Sequence, residues 1–405
     1  MGRPFRLSIS HTSRPIFHNR WRLVVVFLFA ALLQQQHLFH ISRQSLAAKY
    51  SSTDFNEEVH RALPRGTHED ARVEDDLIAH RKDWKVLGGG WEGKVYAYNG
   101  SVIKTFTPGR SPFRNCAPGD TREKWPTEIT ASLRFGGSSL KDNGNNGNNT
   151  PFDGFLPVYA YFKAINPPSA AREWHLVTPL LKRGNLVNEA KRLARDEEPL
   201  THQDVDARYR PVFERFLDTI QRLHEHGYCH DDVKPANIFV KDKTNWVLGD
   251  LGNVRHVNHP YHTSRLWKDN QQLEDCRAND LLRALKSYLQ FVRSAASNRD
   301  AFDKEFFEMK APLSRLFWRA SAEAPHMSAR QLQELSVIEK PQGPEVSTTV
   351  TPPARPSSLL AIISSRWSLP RAVESAIETR IGEKLARWWA MVYVFGVPNR
   401  ESCDV

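Results

Sequence analysis

Hydrophobic positions change their rhythm several times along the chain. An unbroken apolar run, Leu23 to Leu33, is followed by Gln34, Gln35 and Gln36 and then by Leu38, Phe39 and Ile41. Its eleven residues are fewer than the roughly twenty of a full membrane span, and suit the apolar core of a signal or short signal anchor. Residues 42–80 are polar and read as a stem. From Trp84 apolar and polar residues alternate, with a turn at Asn99-Gly100, which predicts a β-hairpin. Gly136 to Thr150 is an Asn/Gly tract with nothing to bury, expected as a disordered insertion. Phe213 to His224 has helical spacing, Lys340 to Pro370 has the Pro/Ser/Thr composition of a linker, and Arg371 to Phe395 returns to helical spacing with Trp388 and Trp389.

Charge alters the picture at one end only. Of 405 residues with 56 basic and 46 acidic side chains, the first 53 hold seven basic groups and no acid. The other 352 are therefore almost neutral, with 49 basic and 46 acidic groups. A basic leader beside an apolar run reads as an address or membrane flank, not as a nucleic-acid surface. An uncleaved single-pass anchor with a cytosolic N-terminus is the expectation; a mitochondrial presequence and a helix docked on a cytoplasmic domain are the alternatives. Four cysteines, none in a Cys-x-x-Cys pair, give no disulfide framework or zinc ribbon, and the histidines near residues 224–230 and 256–262 lack pair-and-pair metal spacing.

Three clusters carry candidate chemistry. The first is Gly88-x-Gly90-x-x-Gly93-x-Val95, with Val102-Ile103-Lys104 on the next strand. Glycines let backbone amides approach a phosphate, but a dinucleotide fold would need a helix next, and a P-loop would need Ser or Thr at Val95. The second is His230-Asp231-Asp232-Val233-Lys234-Pro235-Ala236-Asn237, which gathers a carboxylate, a cation and an amide ligand within two turns of chain. The third is Asp250-Leu251-Gly252 after the strand-like Trp246-Val247-Leu248.

Together these resemble the motifs of the eukaryotic protein kinase superfamily, Ser/Thr type. The resemblance implies an α+β bilobal fold, with a small β-rich N-lobe and a mainly helical C-lobe, over residues 81–337. Flanking it are a basic segment (1–22), an apolar segment (23–41), a stem (42–80), a linker (338–370) and a C-terminal amphipathic helix with its tail (371–405). It implies ATP and Mg2+ as cofactors and a protein substrate. By the same resemblance Lys104 holds the α- and β-phosphates, with Glu128 as its carboxylate partner and Glu123 as the rival. Asp232 handles the hydroxyl proton, Lys234 neutralises the transferring group, and Asn237 and Asp250 ligate magnesium. Gly88, Gly90 and Gly93 form the loop over the phosphates, while Val95, Val102, Thr178, Leu180 and Phe239 surround the adenine.

The sequence departs from the family in three places. Asp231 stands where the catalytic loop usually has Arg, so activity independent of activation-loop phosphorylation is expected. No A-P-E precedes Asp280, where DLLRALKSYLQF resembles the buried C-lobe helix, and Ser132 replaces the usual large apolar residue four places after Glu128. A kinase-fold small-molecule phosphotransferase and a pseudokinase scaffold are the alternative functions.

Overall fold

The alternation from Trp84 onward produces strands, because period-two patterning lets one sheet face be buried while the other meets a different layer. The computed structural model describes residues 14–55, 68–90, 93–107, 116–118, 124–137, 153–165, 172–309, 311–340 and 365–391. A five-stranded antiparallel sheet is built from β1 (Lys85–Gly89), β2 (Gly93–Tyr98), β3 (Ser101–Phe106), β4 (Ala160–Ile165) and β5 (Arg172–Pro179), in the order β1-β2-β3-β5-β4. The β2–β3 turn places Asn99 at φ 44° and Gly100 at φ 74°, the left-handed pair that an Asn-Gly hairpin turn accommodates.

The two faces of this sheet have different partners. Ile103, Ala160, Phe162, Ala164 and Val177 pack with Trp84 and with Leu77 of a preceding helix, His68–Ala79. Phe106, Trp174 and Leu176 pack instead with Ile129 of helix Thr127–Phe135. The second face is therefore the one that looks onto the rest of the chain.

That remainder is mainly helical, and the whole is an α+β, bilobal kinase-like fold. The centre of the larger lobe is a pair of helices, His202–Glu225 and Cys276–Ala295. The first starts with a capping box in which Thr201 and Asp204 satisfy each other's backbone donors, an arrangement that contributes about 1 kcal/mol. Phe213 stacks on Tyr288 with ring centroids 4.5 Å apart, and Leu217, Ile220, Leu223, Leu285 and Leu289 surround them with almost no exposure.

The N-terminal segment differs from the simple succession of anchor and stem. One helix, Arg14–Lys49, runs without a break from the anchor into the first residues of the stem. Its Leu23, Phe27 and Phe29 are exposed, whereas Phe39 and Leu46 are buried. Leu46 joins Tyr261, Leu266, Trp267 and Ala390 in one cluster, and Glu383, just before the C-terminal helix Lys384–Met391, accepts from Lys49 and from Tyr50 at 2.6 Å. Phe55 reaches the core of the larger lobe. Polar composition concealed this docking, because a few irregularly spaced apolar residues, Phe39, Leu46 and Phe55, suffice to seat a helix end. The part of Arg371 to Phe395 that is described forms the end of a helix Ser365–Ala376 and then Lys384–Met391, with Val373, Ile377 and Ala390 buried. Residues 138–150 of the expected insertion, 341–364 of the expected linker, the tail from 392 and Glu123 lie outside the described residues.

Candidate phosphotransfer site

Lys104 lies on β3 between Val102 and Phe106, on the face of the sheet that looks toward the larger lobe. Its ammonium donates to the Glu128 carboxylate and, at 2.9 Å, to Asp250 Oδ1. These three charges come from a strand, the first turn of a helix and the segment after a distant hairpin. Glu128 is brought there because helix Thr127–Phe135 is buried along most of its length, with Ile129 against the sheet and its body against the turn Leu251–Asn253. Lys104 holds the Asp250 carboxyl down to about 2, against the upward push of burial, so Asp250 is ionised at neutral pH.

The loop glycines split into two kinds. A Cβ on Gly93 would lie 1.6 Å from the Thr105 carbonyl oxygen, so β2 can lie this close to β3 only with glycine there. Cβ atoms on Gly88 and Gly90 would meet nothing within 4 Å among the described residues. Packing requires glycine at Gly93, whereas no described residue constrains the other two.

The second part of the site is the loop after helix His202–Glu225. Gly227 ends that helix at φ 80°, and Tyr228–Cys229 pairs with Arg255–His256. His230 is fully buried, with Nε2 3.2 Å from the Gly249 carbonyl, which ties this loop to the segment carrying Asp250. Asp280, on the buried helix Cys276–Ala295, accepts from the backbone N–H of His230 at 2.6 Å and of Asp231 at 3.0 Å. Those bonds hold Asp231 in the left-handed region at φ 62°, and Asp250 is also left-handed at φ 54°. Non-glycine residues in that region are costly by about 1–3 kcal/mol and concentrate at functional sites.

This conformation turns Asp232 toward the cleft. Its Oδ2 accepts from Lys234 Nζ at 2.6 Å, from Asn237 Nδ2 at 3.2 Å and from Asn253 Nδ2 at 3.4 Å. With the Asn237 amide nitrogen so engaged, its oxygen is left for a cation. The oxygen set of Asn237 and Asp250 suits a hard divalent ion such as magnesium. Val95, Val102, Thr178 and Phe239 are half-buried and Leu180 is exposed. Val95 lies opposite Lys104, and Val102 opposite Thr178, in the sheet register. Phe239 sits on the strand that pairs with Trp246–Leu248.

Asp231 has a different environment. Its carboxylate accepts from Arg255 Nη1 at 3.1 Å and lies 2.9 Å from His262 Nε2, with all three side chains buried. Burial pushes the Asp231 carboxyl up, but His262 and Arg255 more than offset this and hold it below the usual carboxylate range. In turn Asp231 raises His262 despite the downward effect of burial. Arg255 Nε also donates to the carbonyl of Lys49, the last residue of the N-terminal helix. Charge spacing in the sequence offered no sign of Arg255 or His262 as partners, since only the fold of residues 250–263 closes them on Asp231.

The structure also pairs Cys229 with Cys276 in a disulfide, across 47 residues. That separation has no local signature. Two groups of potential metal ligands, His224–Cys229–Asp280 and Asp231–His262–Cys276, each include one of these sulfurs. A bridged sulfur has no thiolate to offer a metal.

No family model matches the chain. It is 35% identical over 102 residues to serine/threonine-protein kinase 16 of Rattus norvegicus, covering 25% of this chain and 32% of that protein. The Homo sapiens protein of the same name is 34% identical over the same coverage. The eIF-2-alpha kinase GCN2 of Schizosaccharomyces pombe is 31% identical over 71 residues, 18% of this chain and 4% of that protein. The chain thus spans about a third of the length of the serine/threonine-protein kinase 16 relatives. These similarities relate it to protein kinases and support phosphotransfer of the kinase type.

Proposed function

We propose that the chain is an ATP-dependent protein kinase that transfers the γ-phosphoryl group of Mg-ATP to Ser or Thr hydroxyls. The observation that carries this reading is the Lys104 ammonium, held between the carboxylates of Glu128 and Asp250 and facing the cleft that also receives Asp232, Lys234 and Asn237. Phosphoryl transfer asks little covalent chemistry of a protein; it requires positioning and charge stabilisation, and this cleft supplies both.

Lys104 binds the α- and β-phosphates, oriented by Glu128. Gly88 and Gly90 add no side chain between the loop backbone and the phosphates, and Val95, Val102, Thr178, Leu180 and Phe239 border the adenine. Asn237 and the ionised Asp250 would hold magnesium, which when bound neutralises the phosphate oxygens. Asp232 orients the acceptor hydroxyl and takes its proton as the oxygen bonds to the γ-phosphorus and the bond to the bridging oxygen of ADP breaks. Lys234, already paired with Asp232, balances the charge on the transferring group. A lysine two residues after the acid is the pattern of Ser/Thr kinases, in keeping with the names of the relatives.

The exposed stretch of the N-terminal helix belongs to the same reading. Arg20–Lys49 is long and apolar enough to cross a membrane, and we take it as a single-pass anchor. The testing experiment is transfer of radiolabelled γ-phosphate to protein acceptors by the full chain with magnesium, against Asp232→Asn. Labelled Ser and Thr with wild type only is the expected result. Label found solely on small metabolites, or equal inactivity of both proteins while ATP still binds, would overturn it.

A further inference from the structure

Three features unused by the phosphotransfer cleft concern where the catalytic domain resides. The first is the asymmetry of charge around the apolar run. Arg3, Arg6, Arg14, Arg20 and Arg22 precede Leu23, whereas only Arg43 and Lys49 are basic in the twenty residues after Leu33, and neither flank contains an acid. An excess of Lys and Arg on one side retains that side in the cytosol. The helix then enters the domain without a linker, because Leu46 is buried against Tyr261 and Trp267, and Lys49 bonds to Glu383. The catalytic domain must therefore lie on the side where the helix emerges, opposite the arginines.

The second feature is the Cys229–Cys276 bridge. The two Cα atoms are 6.0 Å apart, within the ordinary range for a disulfide, and both residues are buried. It joins the residue before His230 to the first turn of the helix that carries Asp280. Such bridges persist in oxidising compartments and are rare in the cytosol. The third feature is Asn99-Gly100-Ser101, an Asn-x-Ser acceptor sequence for N-linked glycan. Asn99 is exposed at the tip of the β2–β3 hairpin. Five residues of strand lie between it and Gly93, a separation of about 20 Å at the usual rise, so a glycan there stays clear of the glycine loop.

We propose that the catalytic domain faces an oxidising, glycosylating lumen, and that Asn99 is its N-glycan acceptor. Asn99 Nδ2 bonds to C1 of the first sugar of a polyprenyl-pyrophosphate oligosaccharide, the C1–O bond to pyrophosphate breaks, and the amide loses one proton. Cys229 and Cys276 pass two electrons and two protons to a disulfide-exchange oxidoreductase of the same compartment, forming the S–S bond.

This inference rests on the anchor reading, and the test separates the two. The full chain is expressed in a eukaryotic secretory host with Asn148→Gln throughout, which removes the one other acceptor sequence, Asn148-Asn149-Thr150. Carbonate extraction tests the anchor: a membrane pellet is expected, and a soluble protein overturns the anchor and the inference with it. Within the pellet, peptide N-glycosidase is expected to raise electrophoretic mobility by one glycan, a shift abolished by Asn99→Gln and by Ser101→Ala. Maleimide is expected to label Cys229 and Cys276 in denatured protein only after reduction. A membrane-bound protein with no Asn99-dependent shift, or with both thiols labelled before reduction, overturns the lumenal assignment and leaves the anchor standing.

Discussion

Asp231 and Asp232 are adjacent in the chain and face opposite sides of the same loop. The Asp232 side chain is 27% exposed and is met by the ammonium of Lys234 and two amide nitrogens. Asp231 is 1% exposed and is enclosed by Arg255 and His262, with its backbone fixed by Asp280. One carboxylate is left partly exposed, and the other is consumed in holding the segment after Asp250. The contrast shows how the loop is tied down: it supplies the anion, and the following segment supplies the cations.

The strongest way to break the comparison is Asp232→Asn. It should lower kcat by about 10²–10⁴ with little change in unfolding midpoint, since Asp232 and its ion-pair partner Lys234 are both partly exposed; rate assays paired with urea titration would show both. A stability loss as large as the one expected at Asp231 would erase the distinction. Asp231→Ala should do the reverse first, destabilising the fold by about 3–5 kcal/mol because it strands the buried Arg255. Replacing the pair by Asp231→Leu with Arg255→Met should recover much of that loss in denaturant unfolding.

A smaller effect is expected from pH. His262 is raised above 6.5 in the folded protein, so its contribution is complete below pH 6.5 and is lost as pH rises through the folded value. Asp231 is lowered from 3.8, so its contribution is present above that pH and is lost as pH falls through its own folded value. His262→Gln should therefore flatten the alkaline limb of the stability profile and shrink the acid limb, since Asp231 then keeps Arg255 but loses its imidazolium partner, as read from urea midpoints across pH. The smallest effect belongs to the docked helix. Glu383→Gln weakens its bonds to Lys49, Tyr50 and Arg387 and should cost about 1–3 kcal/mol. Faster proteolysis near residues 50–55 would report it.

Much of the cleft was legible because its residues are held by short-range requirements. The glycine loop and its hairpin, the spacing of His230, Asp232, Lys234 and Asn237, and the strand before Asp250 each express a local constraint on backbone or ligand geometry. The sequence favours Glu128 over its rival Glu123, and the packing of its helix between sheet and loop is what brings its carboxylate to Lys104. The docking of the chain around residues 39–55 was not legible, since Phe39, Leu46 and Phe55 are too sparse to show periodicity yet are all buried.

The amino-acid sequence by itself determined the class of fold and offered candidate side chains for phosphoryl chemistry, because glycine, strand and loop requirements act over a few residues. Tertiary structure alone decided what surrounds them. Arg255 and His262 close on Asp231, Cys229 meets Cys276 across 47 residues, and the N-terminal helix ends on the catalytic lobe. None of these contacts has a local period or spacing; each exists because buried charges and sparse apolar residues must find partners that only the folded chain brings near.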